Sequence, residues 1–233
     1  MKTRLITGKP SRFLSYPAAT FVGSRGPKGN PVGSREAFTL SVRCREIVVG
    51  TILGDGCLER NGANVRLRID HGATQKAFVE WKLHELKELH PLQPRLVQRL
   101  DRRTRRVHEN YRFDTRTTPR LNHYFDLFYG GTRIKRIPMG IFAVLRTPLS
   151  LAVWYMDDGS KRRDCRSGYL NTNAYSVKDV QLLKECLWFN FGVESVTHFA
   201  AAKPRIYIPS RGFGRFCSLV APFVIPTMRY KLL

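Results

Sequence analysis

The chain of 233 residues has few acidic side chains, no ordered cysteine pattern and no long apolar run. Its five cysteines form no CxxC pair and no zinc-ligand spacing with the six histidines. We therefore expect reduced, mostly structural thiols and neither a zinc module nor a disulfide-stapled secreted protein. No apolar run reaches the roughly 18 to 20 residues that a membrane-spanning helix requires, so membrane insertion is not expected.

The charge of the chain indicates its class of partner. Forty Lys and Arg residues against 18 Asp and Glu give a formal net charge of +22 and a pI near 10.4. Such a surface attracts a polyanion, and nucleic acid is the expected one. With 42% hydrophobic residues the chain can bury a core, so the charge decorates a folded domain. A ribosomal-type binding protein would have the same balance, and charge alone does not indicate a reaction.

The N-terminal segment differs in composition from the rest. It carries seven Lys and Arg residues before the first acidic residue, Glu36. We assign residues 1–45 to a basic, flexible leader outside the core. Its composition suits an organellar transit peptide, a basic arm or the read-through start of an intron-encoded frame.

Two similar motifs follow, VVGTILGDG at 48–56 and LAVWYMDDG at 151–159. Each is a mostly apolar run with small residues inside it, and each ends in an aspartate followed by glycine. A carboxylate at a helix C-terminus faces the negative end of the helix dipole, which is unfavourable. Two such helices therefore indicate a site at Asp55 and Asp158.

The elements after each motif repeat in the same order, which predicts two related halves, 46–147 with its linker and 148–233. Alternation and helical spacing predict a strand, a helix, a hairpin and a closing apolar helix in each half. In the first half these are a strand at 65–70, a helix from Thr74, hairpin strands at 95–98 and 108–114, and a helix at 124–129. In the second half they are a strand at 169–172, a helix between a Ser176–Asp179 capping box and Gly192, hairpin strands at 193–199 and 205–208, and a helix at 213–223.

The polar faces of these strands are rich in arginine. A two-stranded ribbon can enter a DNA major groove, where arginine reads guanine and contacts phosphate. A solvated basic face is the alternative for any single strand, and a register error of one residue would reverse the faces. The predicted DNA contacts are Arg66, Arg68, Arg112, Arg116, Lys161, Arg162, Arg205 and Tyr207.

Close packing of the two motif helices, through Gly50 and Ala152, would bring Asp55 and Asp158 together. Two adjacent carboxylates repel each other, and a shared divalent cation removes that penalty. Hard oxygen ligands favour Mg²⁺, with Mn²⁺ as the alternative. Such a cation can activate water and stabilise the leaving oxygen of a phosphodiester displacement.

Three further polar residues belong to the predicted site. Lys135 and Lys231 recur at a similar distance after the two aspartates, and we expect them to polarise water or the charge developing on phosphorus. Asp70, on the first half's predicted strand, could orient a metal-bound water or form an exposed salt bridge.

The motifs resemble those of LAGLIDADG homing endonucleases of the monomeric two-motif class. The resemblance runs from about residue 46 to the end and includes RIKRIP, LNTNAYS, PRIYIPS and VIPTMRYKL. It implies an α+β fold of two pseudo-symmetric αββαββα halves that form a DNA-binding saddle. It also implies that Asp55 and Asp158 bind the catalytic metals, with Lys135 and Lys231 beside them.

The resemblance further implies double-strand cleavage by a monomer at a long, near-asymmetric site across the minor groove. An intron or intergenic origin is expected, in a mitochondrion or plastid, with a bacterial cytoplasm as the alternative. Two positions depart from the family pattern. Gly54 replaces an alanine, and Asp157 precedes the matching aspartate, which makes Asp157 a neighbour of the site and not a ligand.

Two other functions compete. YMDD at 155–158 also occurs in reverse transcriptases, but that four-residue match leaves the first motif unexplained and the chain is too short for a polymerase. An RNA-binding intron maturase is the stronger rival, because the same basic surface would bind structured RNA. The four intact polar residues of the predicted site favour cleavage.

Overall fold

The computed structural model describes residues 39–232, which form two successive sets of helices and strands. The first set has the order αββαββα. It consists of α1 (Val42–Leu53), β1 (Cys57–Asn61), β2 (Asn64–Gly72), α2 (Lys76–Glu85), β3 (Arg95–Asp101), β4 (Arg106–Asp114) and α3 (Asn122–Tyr129).

The second set repeats this order after a short helix, α4 (Ile141–Val144). It consists of α5 (Pro148–Asp158), β5 (Gly159–Lys161), β6 (Gly168–Leu170), α6 (Val177–Phe191), β7 (Val196–Ala200), β8 (Lys203–Ile208) and α7 (Ser210–Val220). The αββαββα fold class is therefore confirmed. The division into 46–147 and 148–233 stays a prediction, and α1 begins at Val42, inside the segment assigned to the leader. Most of that leader lies outside the described residues.

The two antiparallel sheets have the same topology, with strand orders β1-β2-β4-β3 and β5-β6-β8-β7. Strands β1 and β5 are short and directly follow the Asp-Gly pairs, and periodicity did not predict them individually. The alternation in β2 is confirmed, since Val65, Leu67 and Ile69 are buried and the residues between them are half-buried. In β8, Ile206 and Ile208 are buried in the same way.

Local signals set the helix ends. The capping box of Ser176 and Asp179 starts α6, and Gly192 ends it with a φ of 61°, as predicted. The start of α2 differs from the prediction, because a 3₁₀ turn at Ala73–Gln75 precedes it and places the first α-helical residue at Lys76. Such turns are common at helix N-termini.

Helices α1 and α5, which carry the two motifs, pack against each other in the core. A methyl group on Gly50 would overlap the carbonyl oxygen of Ser150 and lie 2.7 Å from the Cβ atom of Val153. The predicted close approach at Gly50 is thus observed. Ala152 is fully buried, although it is not among the nearest atoms to Gly50.

Two expectations from composition can be compared with the structure. The five cysteines are all unpaired, and only Cys165 is exposed. Within 39–232, no helix combines the length and the apolar character needed to cross a membrane.

Candidate active site

The two motif aspartates lie at the C-terminal ends of the paired helices. Asp55 stands in the turn after α1, and Asp158 is the last residue of α5. The side chain of Asp55 is 47% exposed, whereas Asp158 is half-buried. One carboxylate thus faces solvent beside a second that is more enclosed.

The charges of these groups act on one another. Burial, together with the negative charges of Asp55 and Asp157, raises the pKa of Asp158 to about 7. Burial also opposes ionisation of Asp55, but His71, Lys82 and Lys135 outweigh it and hold the pKa of Asp55 below its ordinary value. The site therefore concentrates negative charge at Asp158 that the surrounding lysines do not fully balance.

Lys135 closes the end of the first motif helix. Its Nζ atom donates to three carbonyl oxygens, those of Ile52 at 2.6 Å, Gly54 at 2.9 Å and Gly56 at 2.9 Å. The last carbonyls of a helix lack backbone partners and carry its negative dipole end, so a lysine there satisfies both requirements. Burial lowers the pKa of Lys135, against the opposing effect of Asp158.

Lys231 performs the corresponding task for the second motif helix. Its Nζ atom donates to the carbonyl oxygens of Met156 at 2.5 Å and Asp157 at 3.2 Å. Burial lowers its pKa too, against the negative charges of Asp157 and Asp158. The recurrence of the two lysines in the sequence thus corresponds to equivalent positions, and both cap the helix ends that carry the aspartates.

A buried polar network beside Asp55 was not predicted. Lys82 of α2 donates to both carboxylate oxygens of Asp157, at 2.6 and 2.9 Å, and its Nζ atom lies 3.2 Å from Nε2 of His71. The other ring nitrogen of His71, Nδ1, lies 3.5 Å from Oδ2 of Asp55. The network connects α5, α2 and β2 to the first motif.

The sequence did contain a signal for these residues. Val65, Leu67, Ile69 and His71 all fall on the buried face of β2. Lys82 falls one turn after Phe78 on the buried face of α2. A polar residue at a core position of a regular pattern requires a buried partner, and here each is the other's partner.

The network also accounts for the departure from the family pattern at Gly54. A methyl group there would overlap the Cβ and Oδ2 atoms of Asp157 and lie 2.8 Å from Cγ. Gly54 and Asp157 are the residues just before the two motif aspartates. The missing methyl group of one motif therefore makes room for the additional carboxylate of the other.

In the first sheet, the arginines predicted to contact DNA have carboxylate partners. Arg66 pairs with Glu59 at 2.9 Å, Arg68 pairs with Glu59 and with Asp114 at 3.1 Å, and Arg112 pairs with Asp114 at 3.2 Å. These contacts hold the guanidinium groups in place on the sheet and reduce its net positive charge.

The second sheet is built differently. The guanidinium of Arg205 lies 3.9 Å from the ring centre of Tyr169, and Tyr207 stacks on His198 with ring centres 4.3 Å apart. Lys161 is exposed, and Arg162 pairs with Asp164. The two sheets therefore present different chemistry.

Two remaining predicted residues lie apart from the aspartate pair's contacts. Arg116 is exposed just beyond β4, where its backbone N–H donates to the carbonyl oxygens of Leu89 and His90. Asp70 accepts hydrogen bonds from Arg99 at 2.6 Å and Asn110 at 2.8 Å. For Asp70 the structure thus has the salt bridge that was one of its two expected roles.

Sequence comparison identifies the family. A model of the LAGLIDADG DNA endonuclease family matches residues 45–216, which include both motifs. The chain belongs to this family. It is a site-specific DNA endonuclease, and double-stranded DNA is its partner.

Two relatives and one solved structure show the range of the similarity. The "Probable intron-encoded endonuclease 1" of Wickerhamomyces canadensis is 29% identical over 202 residues, which cover 84% of this chain and 86% of that protein. The "Cytochrome b mRNA maturase bI2" of Saccharomyces cerevisiae is 29% identical over 219 residues, 83% of this chain but 48% of the maturase. The chain thus spans about half of the maturase's length.

The solved structure is "The homing endonuclease I-WcaI bound to its DNA recognition sequence". It superposes with a TM-score of 0.77 and 27% identity, covering 88% of this chain and 95% of that one.

Proposed function

We propose that this homing endonuclease cuts both strands of one long DNA site with a divalent cation held by Asp55 and Asp158. The observation that carries the proposal is the pairing of α1 and α5, which presents one carboxylate at the end of each helix. A symmetric pair of carboxylates suits a reaction that must break one phosphodiester in each strand. Because a single chain carries both motifs, we infer that it acts as a monomer.

The residues present suit a divalent cation. The pKa of Asp158, raised by burial and by Asp55 and Asp157, reflects negative charge without an adequate counter-charge. The nearby lysines Lys135 and Lys231 direct their amines at backbone carbonyls. A cation between the carboxylates would supply the missing positive charge, and an all-oxygen donor pair favours Mg²⁺ or Mn²⁺ over zinc.

A second cluster could also hold a metal, since ligand atoms of Asp55, His71 and Asp157 lie within 4.8 Å of one another. We place the cation elsewhere for a physical reason. The ammonium of Lys82 already contacts both oxygens of Asp157 and approaches His71, so a dication there would meet an adjacent positive charge.

The chain's own residues have distinct roles in the proposed reaction. A bound cation would activate water and stabilise the leaving oxygen. Asp55 and Asp158 orient it. Lys135 and Lys231 fix the ends of α1 and α5 and place positive charge close to the site, where negative charge develops on the phosphoryl oxygens.

We further propose that the two sheets contact DNA through Arg66, Arg68, Arg112, Arg116, Lys161, Arg162, Arg205 and Tyr207. A guanidinium that contacts a phosphate releases a counterion on binding, so its removal lowers the salt dependence of affinity. Tyr207 and its aromatic neighbours present flat faces to the DNA instead.

The contribution of Arg205 can be tested by its salt dependence. We expect Arg205→Gln to weaken DNA binding and to reduce the slope of log affinity against log salt by about one unit. Fluorescence anisotropy over a salt series measures both quantities. The matched control is Arg43→Gln, at the opposite end of α1 and paired with Glu85, which should leave the slope unchanged. An equal loss for both variants, or none for Arg205→Gln, would remove Arg205 from the interface.

The function is tested by cleavage of a randomised duplex library with Mg²⁺ or with EDTA, followed by sequencing of the ends. We expect discrete double-strand breaks at related sequences in Mg²⁺ and none in EDTA. Cleavage that persists in EDTA would contradict a metal-dependent site. Breaks without a shared sequence would contradict a single long target.

The similarity to a maturase supports a second candidate function, assistance of intron splicing through RNA binding. The basic surface suits either polyanion. If the folded protein cut no library member but bound structured intron RNA more tightly than duplex DNA, this second function would replace the first. For the gene we infer an origin in an intron of an organellar genome, because one relative is named as intron-encoded and another as a cytochrome b mRNA maturase.

A further inference from the structure

A continuous line of buried polar contacts leads to one of the two aspartates. Asp157 accepts from Lys82 at 2.6 Å, Lys82 lies 3.2 Å from Nε2 of His71, and Nδ1 of His71 lies 3.5 Å from Oδ2 of Asp55. Asp157, Lys82 and His71 are all buried, whereas Asp55 is exposed. The line therefore begins in the core of the protein and ends at the site.

The hydrogen-bonding chemistry gives this line a direction. An ammonium group donates hydrogen bonds and accepts none, so Nε2 of His71 must be the acceptor from Lys82. In a neutral imidazole the remaining nitrogen, Nδ1, then carries the hydrogen. Nδ1 is the atom that faces Asp55. Lys82 thus selects the tautomer that can donate to the exposed carboxylate.

Packing restricts the ring of His71 as well. Phe78, one turn before Lys82 in α2, contacts it with ring centres 5.2 Å apart. The ammonium of Lys82 lies 4.5 Å from the centre of the same phenylalanine ring. A ring held by an aromatic neighbour and by Lys82 keeps its donor directed at one point.

Asp158 has a different environment. Its backbone carbonyl accepts from the backbone and side chain of Asn171, at 3.0 and 2.8 Å. The ion pairs formed within residues 39–232 include none at its carboxylate. The position that corresponds to Asp157 in the first motif is Gly54, which cannot anchor a second lysine. The supporting line is therefore specific to Asp55.

We propose that His71 is a positioning residue for Asp55. Its Nδ1–H holds one carboxylate oxygen and leaves the other directed at the divalent cation, while Lys82, anchored by Asp157, keeps the imidazole in the required tautomer. Hydrogen-bonded support of this kind orients a metal-binding carboxylate before the cation arrives. The inference rests on the proposed role of Asp55 as a metal ligand.

Three substitutions at His71 separate its two nitrogens. In His71→Asn the side-chain amide can take the place of Nδ1 and still donate to Asp55. In His71→Gln the amide instead reaches the position of Nε2, beside Lys82, and the donor to Asp55 is lost. His71→Phe keeps the size of the ring and removes both nitrogens. The exposed His84, also in α2, supplies the control variant His84→Asn.

The readout is the dissociation constant of Mn²⁺, measured by electron paramagnetic resonance with each protein bound to a target duplex made uncleavable at the scissile linkages. We expect His71→Gln and His71→Phe to weaken Mn²⁺ binding by about 10- to 100-fold, with DNA affinity retained. His71→Asn should retain more Mn²⁺ affinity than either, and His84→Asn should match the unmodified protein. Calorimetric melting of each variant identifies losses that come only from unfolding.

Equal Mn²⁺ affinity in His71→Asn and His71→Gln would overturn the proposal, whether both were weakened or neither was, because Nδ1 would then have no separate role. Asp55→Asn is measured in parallel. If Asp55→Asn binds Mn²⁺ and cleaves normally, the proposed function itself fails. If Asp55→Asn fails while His71→Gln behaves like the unmodified protein, only the role of His71 is rejected.

Discussion

Asp55→Asn and Asp158→Asn should each lower the rate of double-strand cleavage by roughly a thousandfold or more while leaving DNA affinity nearly unchanged. Asparagine keeps the size of the side chain but removes the charge that holds the cation. A divalent cation contributes several kcal/mol to charge stabilisation in the transition state, and each 1.36 kcal/mol is tenfold in rate. Single-turnover cleavage of a target identified from the library, with binding measured in Ca²⁺, gives both quantities.

The matched control for this prediction is Asp126→Asn. Asp126 is exposed on α3, where it pairs with Arg60 at 3.1 Å, away from the motif helices. We expect its cleavage rate to stay within about twofold of the unmodified protein, as for ordinary surface substitutions. Parallel loss of binding and cleavage at Asp55 or Asp158 would assign these residues a structural role.

Lys82→Met should destabilise the protein by about 3–5 kcal/mol, because it leaves the carboxylate of Asp157 buried without its counter-charge. The two side chains are fully buried and in direct contact, so solvent cannot replace the lost partner. Chemical denaturation of the protein measures the free energy of unfolding. The effect should be far larger than that of an exposed pair such as Lys76 and Glu80.

A double-mutant cycle tests the physical cause of that loss. Lys82→Met combined with Asp157→Asn removes both charges, and the new amide can donate to Nε2 of His71, which lies 3.4 Å from Oδ1 of Asp157. We expect the double variant to be more stable than Lys82→Met alone, with a coupling energy of about 1–3 kcal/mol. Additive losses would show that the pair does not act as a unit.

The repeat made much of the fold predictable. Alternation in 65–70 and 205–208, the Ser176–Asp179 capping box and Gly192 are local signals, and the structure has the corresponding elements. Two of the eight strands, β1 and β5, were not predicted individually, because five and three residues are too few for a periodic pattern. They form by pairing with β2 and β6, which is a tertiary effect.

The site was predictable only where both motifs carry the same chemistry. Asp55 and Asp158 could be found because each ends a motif, and Lys135 and Lys231 because they recur. His71 and Lys82 have no counterpart in the second half, so the repeat did not reveal them. Their partners are distant in sequence, Asp157 lying 75 residues after Lys82, and only the folded chain brings them together.

The difference between the two sheets was equally inaccessible to sequence. Strand parity placed Arg66, Arg68 and Arg112 on a polar face, but it did not show that Glu59 and Asp114 pair with them. Cross-strand register determines those partners, and register depends on the whole sheet. The first half therefore holds its arginines by ion pairs, and the second relies on aromatic stacking.

The most direct test of a shared cation is anomalous diffraction from crystals of the protein with its target duplex and Mn²⁺. Our account predicts a manganese peak within bonding distance of a carboxylate oxygen from each of Asp55 and Asp158, with Lys82 still bound to Asp157. A manganese ion held by Asp55, His71 and Asp157, with Lys82 displaced, would contradict it. So would a complex that cleaves DNA in the crystal with no metal at either motif aspartate.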